Sequence, residues 1–217
     1  MILWPKGIFP RLSAKKSLPE KKEALPIISE IPKVRTVFMG TPELSATLLQ
    51  ALIEKGYNIV GVVTKPDKPV GRKKELSESP VKELALKYRI PVIQPEKFDA
   101  SALQELRDLK PDLIVVAAYG KILPEEVLTL PGFGCVNFHT SLLPKWRGAS
   151  PIQNTLLAGE TETGVTIMLM DKGMDTGDII SQRTVPIDPD DTSIILTEKL
   201  LVAGKALLLE TLPRFIE

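Results

Sequence analysis

The chain's only histidine, His139, and its only cysteine, Cys135, fall in one run, Gly134-Cys135-Val136-Asn137-Phe138-His139. Read as a strand of period two, this run places Cys135, Asn137 and His139 on one face and Val136 and Phe138 on the other. An asparagine in an apolar strand costs free energy unless its amide is paired. On Asn-x-His alone, a hydrogen-bonded structural pair explains the residues as well as chemistry does. Two neighbouring segments shift that balance. Ser141-Leu142-Leu143-Pro144-Lys145-Trp146-Arg147-Gly148 reads as a rigid turn beside the histidine, a shelf of backbone amides and carbonyls for a flat ligand with many hydrogen-bonding groups. Asp175, within Asp171-Lys172-Gly173-Met174-Asp175-Thr176-Gly177-Asp178, lies on a second loop from which a carboxylate can orient the imidazole. Cys135 reads as a buried strand residue rather than a nucleophile.

These residues need elements to hold them, and the pattern from Val34 onward supplies them. Val34 to Met39 reads as a short strand. Thr41 is expected to cap a following helix that starts at Pro42 and runs to Lys55, with Glu43 complementing its dipole and Gly56 ending it. Asn58 to Val63 reads as a buried strand, Lys65 to Ser79 as a polar stretch, and Pro80 as the start of a second helix. A brief strand at residues 90–93, a helix led by Ser101 and a strand from Leu113 to Ala117 follow. After the Cys135 strand come a helix from Pro151 to Ala158, two strands at Gly164 to Met170 and Ile179 to Val185 that can pair antiparallel, and a C-terminal helix with caps between Asp188 and Thr192. Strands alternating with helices at this spacing indicate an α/β fold with a mostly parallel sheet covered on both faces. In such sheets ligands bind outside the carboxyl ends of the strands, where Asn137 and His139 sit.

Composition narrows the function. With 217 residues, 43% hydrophobic and 25% charged, the chain has the makeup of an ordinary folded domain rather than a coiled coil or a disordered tail. One Cys and one His cannot form an internal disulfide or a Cys/His zinc site, so no metal is expected. The net charge of +1 gives no bulk attraction to polyanions, so any nucleic-acid contact must come from a local patch. The longest apolar run, Leu113 to Ala118, is far shorter than the roughly 20 residues of a membrane span. Residues 1 to 33 differ from the rest, with five prolines and a net +4, and read as a flexible N-terminal extension. Pro5 and Lys6 break the only apolar start, which disfavours a secretory signal. The turn Met39-Gly40-Thr41-Pro42-Glu43 lacks the G-x-G-x-x-G spacing of dinucleotide sites, and no P-loop or G-x-S-x-G elbow occurs.

From about Val34 to Glu217 the chain resembles the N-terminal catalytic domain of the methionyl-tRNA formyltransferases. The resemblance rests on Phe38-Met39-Gly40-Thr41-Pro42-Glu43, Pro66-Asp67-Lys68-Pro69-Val70-Gly71-Arg72, Ser79-Pro80-Val81-Lys82, Ala118-Tyr119-Gly120, Asn137-Phe138-His139, Ser141-Leu142-Leu143-Pro144, the run from Trp146 to Gln153, the run from Glu162 to Met168, and Asp175-Thr176-Gly177-Asp178. It implies a Rossmann-like open sheet, with residues 34–217 as the catalytic domain and the family's C-terminal tRNA-binding domain absent. It also implies formyl transfer from 10-formyltetrahydrofolate to the amino group of initiator methionyl-tRNA, with Asn137, His139 and Asp175 as the catalytic trio. Ser141, Leu142, Leu143, Pro144, Tyr119 and Gly120 would contact the folate; Arg72, Lys73, Lys74 and Arg147 would contact the tRNA. An amine attacking a formyl group develops an oxyanion, and Asn137 and His139 are residue types able to donate to it. A cytoplasmic monomer is expected, with organelle targeting by residues 1–33 as the other reading of the location. The alternatives are another 10-formyltetrahydrofolate-dependent transferase or hydrolase, or a non-catalytic folate- or RNA-binding fragment. Thr140, where the family commonly has Gly, is the departure most able to crowd the formyl site.

Overall fold

In the computed structural model, which describes residues 33–70 and 75–217, buried runs from five places in the sequence lie side by side. The N-terminal extension up to residue 32 and the expected tRNA contacts Arg72, Lys73 and Lys74 lie outside the described residues. The strands are β1 (Arg35–Gly40), β2 (Asn58–Val63), β5 (Val92–Ile93), β6 (Leu113–Ala117), β7 (Cys135–His139), β8 (Glu162–Leu169) and β9 (Ile179–Pro186), with a separate hairpin of β3 (Lys68–Val70) and β4 (Glu75–Ser77). The helices are α1 (Glu43–Glu54), α2 (Pro80–Lys87), α3 (Ala100–Asp108), α4 (Glu125–Leu128), α5 (Pro151–Leu157) and α6 (Ser193–Phe215).

The sheet has the order β5-β2-β1-β6-β7-β8-β9. The first five strands run parallel, and β8 and β9 are antiparallel to their neighbours, as expected for the last pair. The order reverses between β1 and β6, which opens a crevice at their carboxyl ends. Both faces are covered. Phe38, Val115, Val136, Phe138, Val165 and Ile167 pack with α1 and α6 on one side, while Val37, Met39, Ile114, Val116 and Cys135 pack toward α3 and α4 on the other. That double burial is why β1 and β6 read as continuous apolar runs rather than alternating ones.

Three local expectations change. Thr41 does not cap α1; its hydroxyl donates to the Tyr119 carbonyl at 3.4 Å, and Pro42 stands at the cap without a side-chain bond. Helix α3 begins one residue before Ser101 and is capped by Asp99, whose carboxylate accepts from the Ala102 amide at 3.0 Å. The stretch from Lys65 to Ser79, read only as polar, contains the β3–β4 hairpin, pairing Lys68 with Ser77 and Pro69 with Leu76. Pro69 is tolerated because a two-stranded ribbon leaves an outer edge where no amide is needed. The cap expected before α6 holds, with Thr192 accepting from Ile195; at α2, which starts at Pro80 as expected, Ser79 caps by accepting from Lys82.

Candidate active site

Strand β7 lies between β6 and β8, with Asn137 beside Val116 and Met168, and His139 beside Thr166. The alternation read from the sequence holds. Val136 and Phe138 enter the α1/α6 side of the core and Cys135 the other, and Asn137 and His139 continue the Cys135 face to the strand's carboxyl end. Burial pushes the Cys135 thiol up to about 12, so the group stays protonated and inert at neutral pH.

Asp175 joins the pair. Its Oδ1 accepts from Asn137 Nδ2 at 3.3 Å, and its Oδ2 stands 3.6 Å from His139 Nδ1 and accepts from the Gly148 amide at 2.8 Å. One carboxylate therefore ties β7 to both neighbouring loops. The loop from Asp171 to Asp178 is shaped by Asp171, which accepts from Thr176 Oγ1 at 2.7 Å and from the Gly173 amide at 2.9 Å. The Thr176 hydroxyl holds the Asp171 carboxyl below the usual carboxylate range, with smaller help from the Gly173 amide and from Arg147. Arg147 is exposed at this rim.

The other nitrogen of His139, Nε2, lies 3.0 Å from the Trp146 carbonyl. A carbonyl only accepts, so Nε2 carries the hydrogen in this arrangement, and Nδ1 faces Asp175. Trp146 adopts φ 58°, a left-handed conformation that a bulky residue seldom takes, and Asp175 adopts φ 52°. Gly148, at φ +95°, lets the two loops close: a Cβ there would lie 3.3 Å from Met174 Sδ.

The shelf after His139 differs from expectation in its chemistry. Most of its backbone groups are engaged internally rather than displayed. Thr166 Oγ1 donates to the Ser141 carbonyl at 2.6 Å and accepts from the Leu143 amide at 3.1 Å; Gln182 Nε2 donates to the Leu143 carbonyl and to Thr166 Oγ1, both at 2.9 Å. The Leu142 carbonyl accepts from Lys145, whose own carbonyl accepts from the Ser141 hydroxyl at 2.6 Å. Ser141 and Leu143 are buried, Leu142 is half-buried and Pro144 exposed. Buried backbone groups must pair, and here the fully buried Thr166 supplies the pairing. Thr166 and Gln182 are the residues that sequence reasoning missed; both look like ordinary strand residues until the register brings them under the turn.

Of the two expected contacts after β6, Tyr119 has its ring in the core against Phe98, with centroids 6.3 Å apart, so only its backbone reaches the crevice. Gly120 is exposed at φ +72°, and the Lys65 ammonium rests against it. Among the described residues, no group of three or more His, Cys, Asp or Glu could hold a metal ion, and no helix is long and apolar enough to cross a membrane.

An open α/β sheet with an Asn-His-Asp cluster at the carboxyl end of a strand beside the switch point puts a polar candidate centre where folds of this class bind their ligands. The formyl transferase family model matches residues 33–212, and the chain belongs to that family. It is 54% identical over 186 residues to a methionyl-tRNA formyltransferase of Caldanaerobacter subterraneus subsp. tengcongensis, covering 85% of this chain and 60% of that relative. It is 53% identical over 183 residues to one of Enterococcus faecalis, covering 84% and 58%. Among solved structures it is similar to a phosphoribosylglycinamide formyltransferase from Bacillus halodurans, with TM-score 0.72, 26% identity and coverage of 84% and 95%. The chain spans about three fifths of the length of the curated relatives it matches.

Proposed function

We propose that the chain transfers a formyl group from 10-formyltetrahydrofolate to the amino group of methionyl-tRNA. The observation that carries this reading is the Asn137–Asp175–His139 cluster at the end of β7, in a chain more than half identical to methionyl-tRNA formyltransferases. The amine nitrogen adds to the formyl carbon, and the formyl oxygen takes the negative charge. Asn137 has one amide hydrogen on Asp175 and a second to give to that oxygen. His139 gives another once its Nε2 hydrogen exchanges the Trp146 carbonyl for the substrate oxygen. Asp175 takes the amine proton through a water. The bond between the formyl carbon and N10 then breaks, N10 takes up a proton, and the products are the formylated amine and tetrahydrofolate.

The folate binds along the turn from Ser141 to Pro144, which Thr166 and Gln182 hold in one shape. Tyr119 and Gly120 contribute through their backbones. Arg147 contacts the tRNA from the rim, together with Arg72, Lys73 and Lys74 in the basic insert, where contacts to phosphates add affinity rather than sequence readout. The test is transfer of labelled formyl to charged initiator tRNA, run beside glycinamide ribonucleotide and water as acceptors. The reading expects methionyl-tRNA to be preferred, and preference for another acceptor overturns it.

A further inference from the structure

A polar cluster outside the catalytic centre ties down the base of the β3–β4 hairpin. Asp67, just before β3, accepts from Lys82 Nζ at 2.5 Å through Oδ2 and from Gln94 Nε2 at 2.7 Å through Oδ1. Gln94, just after β5, also donates to the Lys65 carbonyl at 2.9 Å. On the returning side, Lys82 pairs with Glu78 at 3.1 Å, and the Ser79 hydroxyl lies 2.8 Å from Thr64 Oγ1. Thus both roots of the hairpin, residues 64–67 and 78–82, are fastened to each other and to the carboxyl end of β5. The hydrogen bonds from Lys82 and Gln94 hold the Asp67 carboxyl below the usual carboxylate range, and Asp67 in turn raises Lys82.

None of these groups reaches the catalytic trio in the hydrogen-bond network, so catalysis itself does not account for them. A part-exposed ion pair at a loop root contributes little to global stability. Their effect is local: a short two-stranded ribbon has no independent stability and holds a fixed direction only if its base is fixed. The root of the hairpin leaves the carboxyl end of β2 directly, the end of the sheet where Asn137 and His139 also sit, and the hairpin exposes Leu76. In the sequence, Arg72, Lys73 and Lys74, proposed above as tRNA contacts, fall between its two strands.

We infer that Asp67 is a positioning residue for the acceptor substrate: by clamping Lys82 and Gln94 together it aims the β3–β4 hairpin at the acceptor, without touching the reacting atoms. This rests on the proposed transfer to methionyl-tRNA.

The experiment compares the full chain with Asp67→Asn, Lys82→Met and, as a distant ion-pair control, Lys199→Met, which breaks contacts to Asp188 and Asp191. Steady-state formyl transfer and amide hydrogen exchange are measured on each. Asp67→Asn and Lys82→Met should each raise KM for methionyl-tRNA on the order of fivefold, the scale on which one part-exposed ion pair acts. The turnover number and the KM for 10-formyltetrahydrofolate should be unchanged, and exchange should quicken in residues 64–82 alone. Lys199→Met should change none of these. A fall in turnover with both KM values altered would assign Asp67 to general structure and overturn the positioning role. Unchanged exchange would overturn the clamp itself. A wild-type chain that formylates no methionyl-tRNA would overturn the proposed reaction and the acceptor role with it, while exchange would still show whether the clamp exists.

Discussion

Replacing Thr166 by Val removes one hydroxyl and keeps the shape of the side chain. That hydroxyl serves three partners: it donates to the Ser141 carbonyl and accepts from the Leu143 amide and the Gln182 side chain. Gln182 keeps its bond to the Leu143 carbonyl and is exposed enough to reach water. The Ser141 carbonyl and the Leu143 amide, both buried, lose a partner. An orphaned buried polar group costs about 1–3 kcal/mol, so two of them cost about 3 kcal/mol with partial relaxation of the turn. For a domain of this size that lowers Tm by roughly 6–12 °C. The turn borders His139, and a misplacement on the order of 1 Å beside a reacting centre costs up to about 100-fold in rate. The assay is a thermal melt together with kcat and the KM for 10-formyltetrahydrofolate. Thr166→Ser, which keeps the hydroxyl, should recover most of the loss. A Thr166→Val protein with unchanged Tm and unchanged folate KM would refute the view that this hydroxyl holds the shelf.

Other outcomes follow from the same structure. Gly204 on α6 faces Phe138, and a Cβ there would lie 2.5 Å from that ring and 3.0 Å from Val165 Cγ2. Gly204→Ala should therefore destabilise by about 1–3 kcal/mol from overpacking, partly offset by better helix propensity, and should lower kcat because Phe138 lies between Asn137 and His139; a melt and a rate assay check both. Cys135, raised from an ordinary 9.0 to about 12, should not react with a thiol reagent at pH 8 until the chain unfolds. The unfolded thiol ionises first, so stability should fall as pH rises from about 9 toward 12, and Cys135→Ala should flatten that slope in denaturant titrations.

Much of the fold was legible because its centre is apolar on both faces. Strands β1 and β6 announce themselves as apolar runs, β7 by its alternation, and Thr192 as a cap. The β3–β4 hairpin was hidden because Lys68-Pro69-Val70 and Glu75-Leu76-Ser77 carry neither alternation nor an apolar run; its shape comes from pairing and from the Asp67 clamp. Asn137 and His139 stood out by their types in a strand. Asp175, 38 residues from Asn137 and 36 from His139, could be named from its loop as a carboxylate able to orient the imidazole, but local pattern does not report which loops meet, and the trio came from the resemblance. The Trp146 carbonyl and Thr166 were beyond reach for a different reason. The first is a backbone atom that every residue possesses, and the second takes its role from the antiparallel register of β7 and β8. The shelf was read as displaying its backbone groups, whereas burial obliges them to pair inward.

Formyl transfer to the amine of methionyl-tRNA is proposed to depend on the Asn137–Asp175–His139 cluster. The most direct measurement is the rate of labelled formyl appearing on methionyl-tRNA with the unaltered chain and with His139→Ala, each shown to be folded by its melt. The unaltered chain should transfer formyl, and His139→Ala should lose on the order of 100-fold or more of that rate. Equal rates from both proteins, or formyl delivered to water or another amine in preference to methionyl-tRNA, would contradict it.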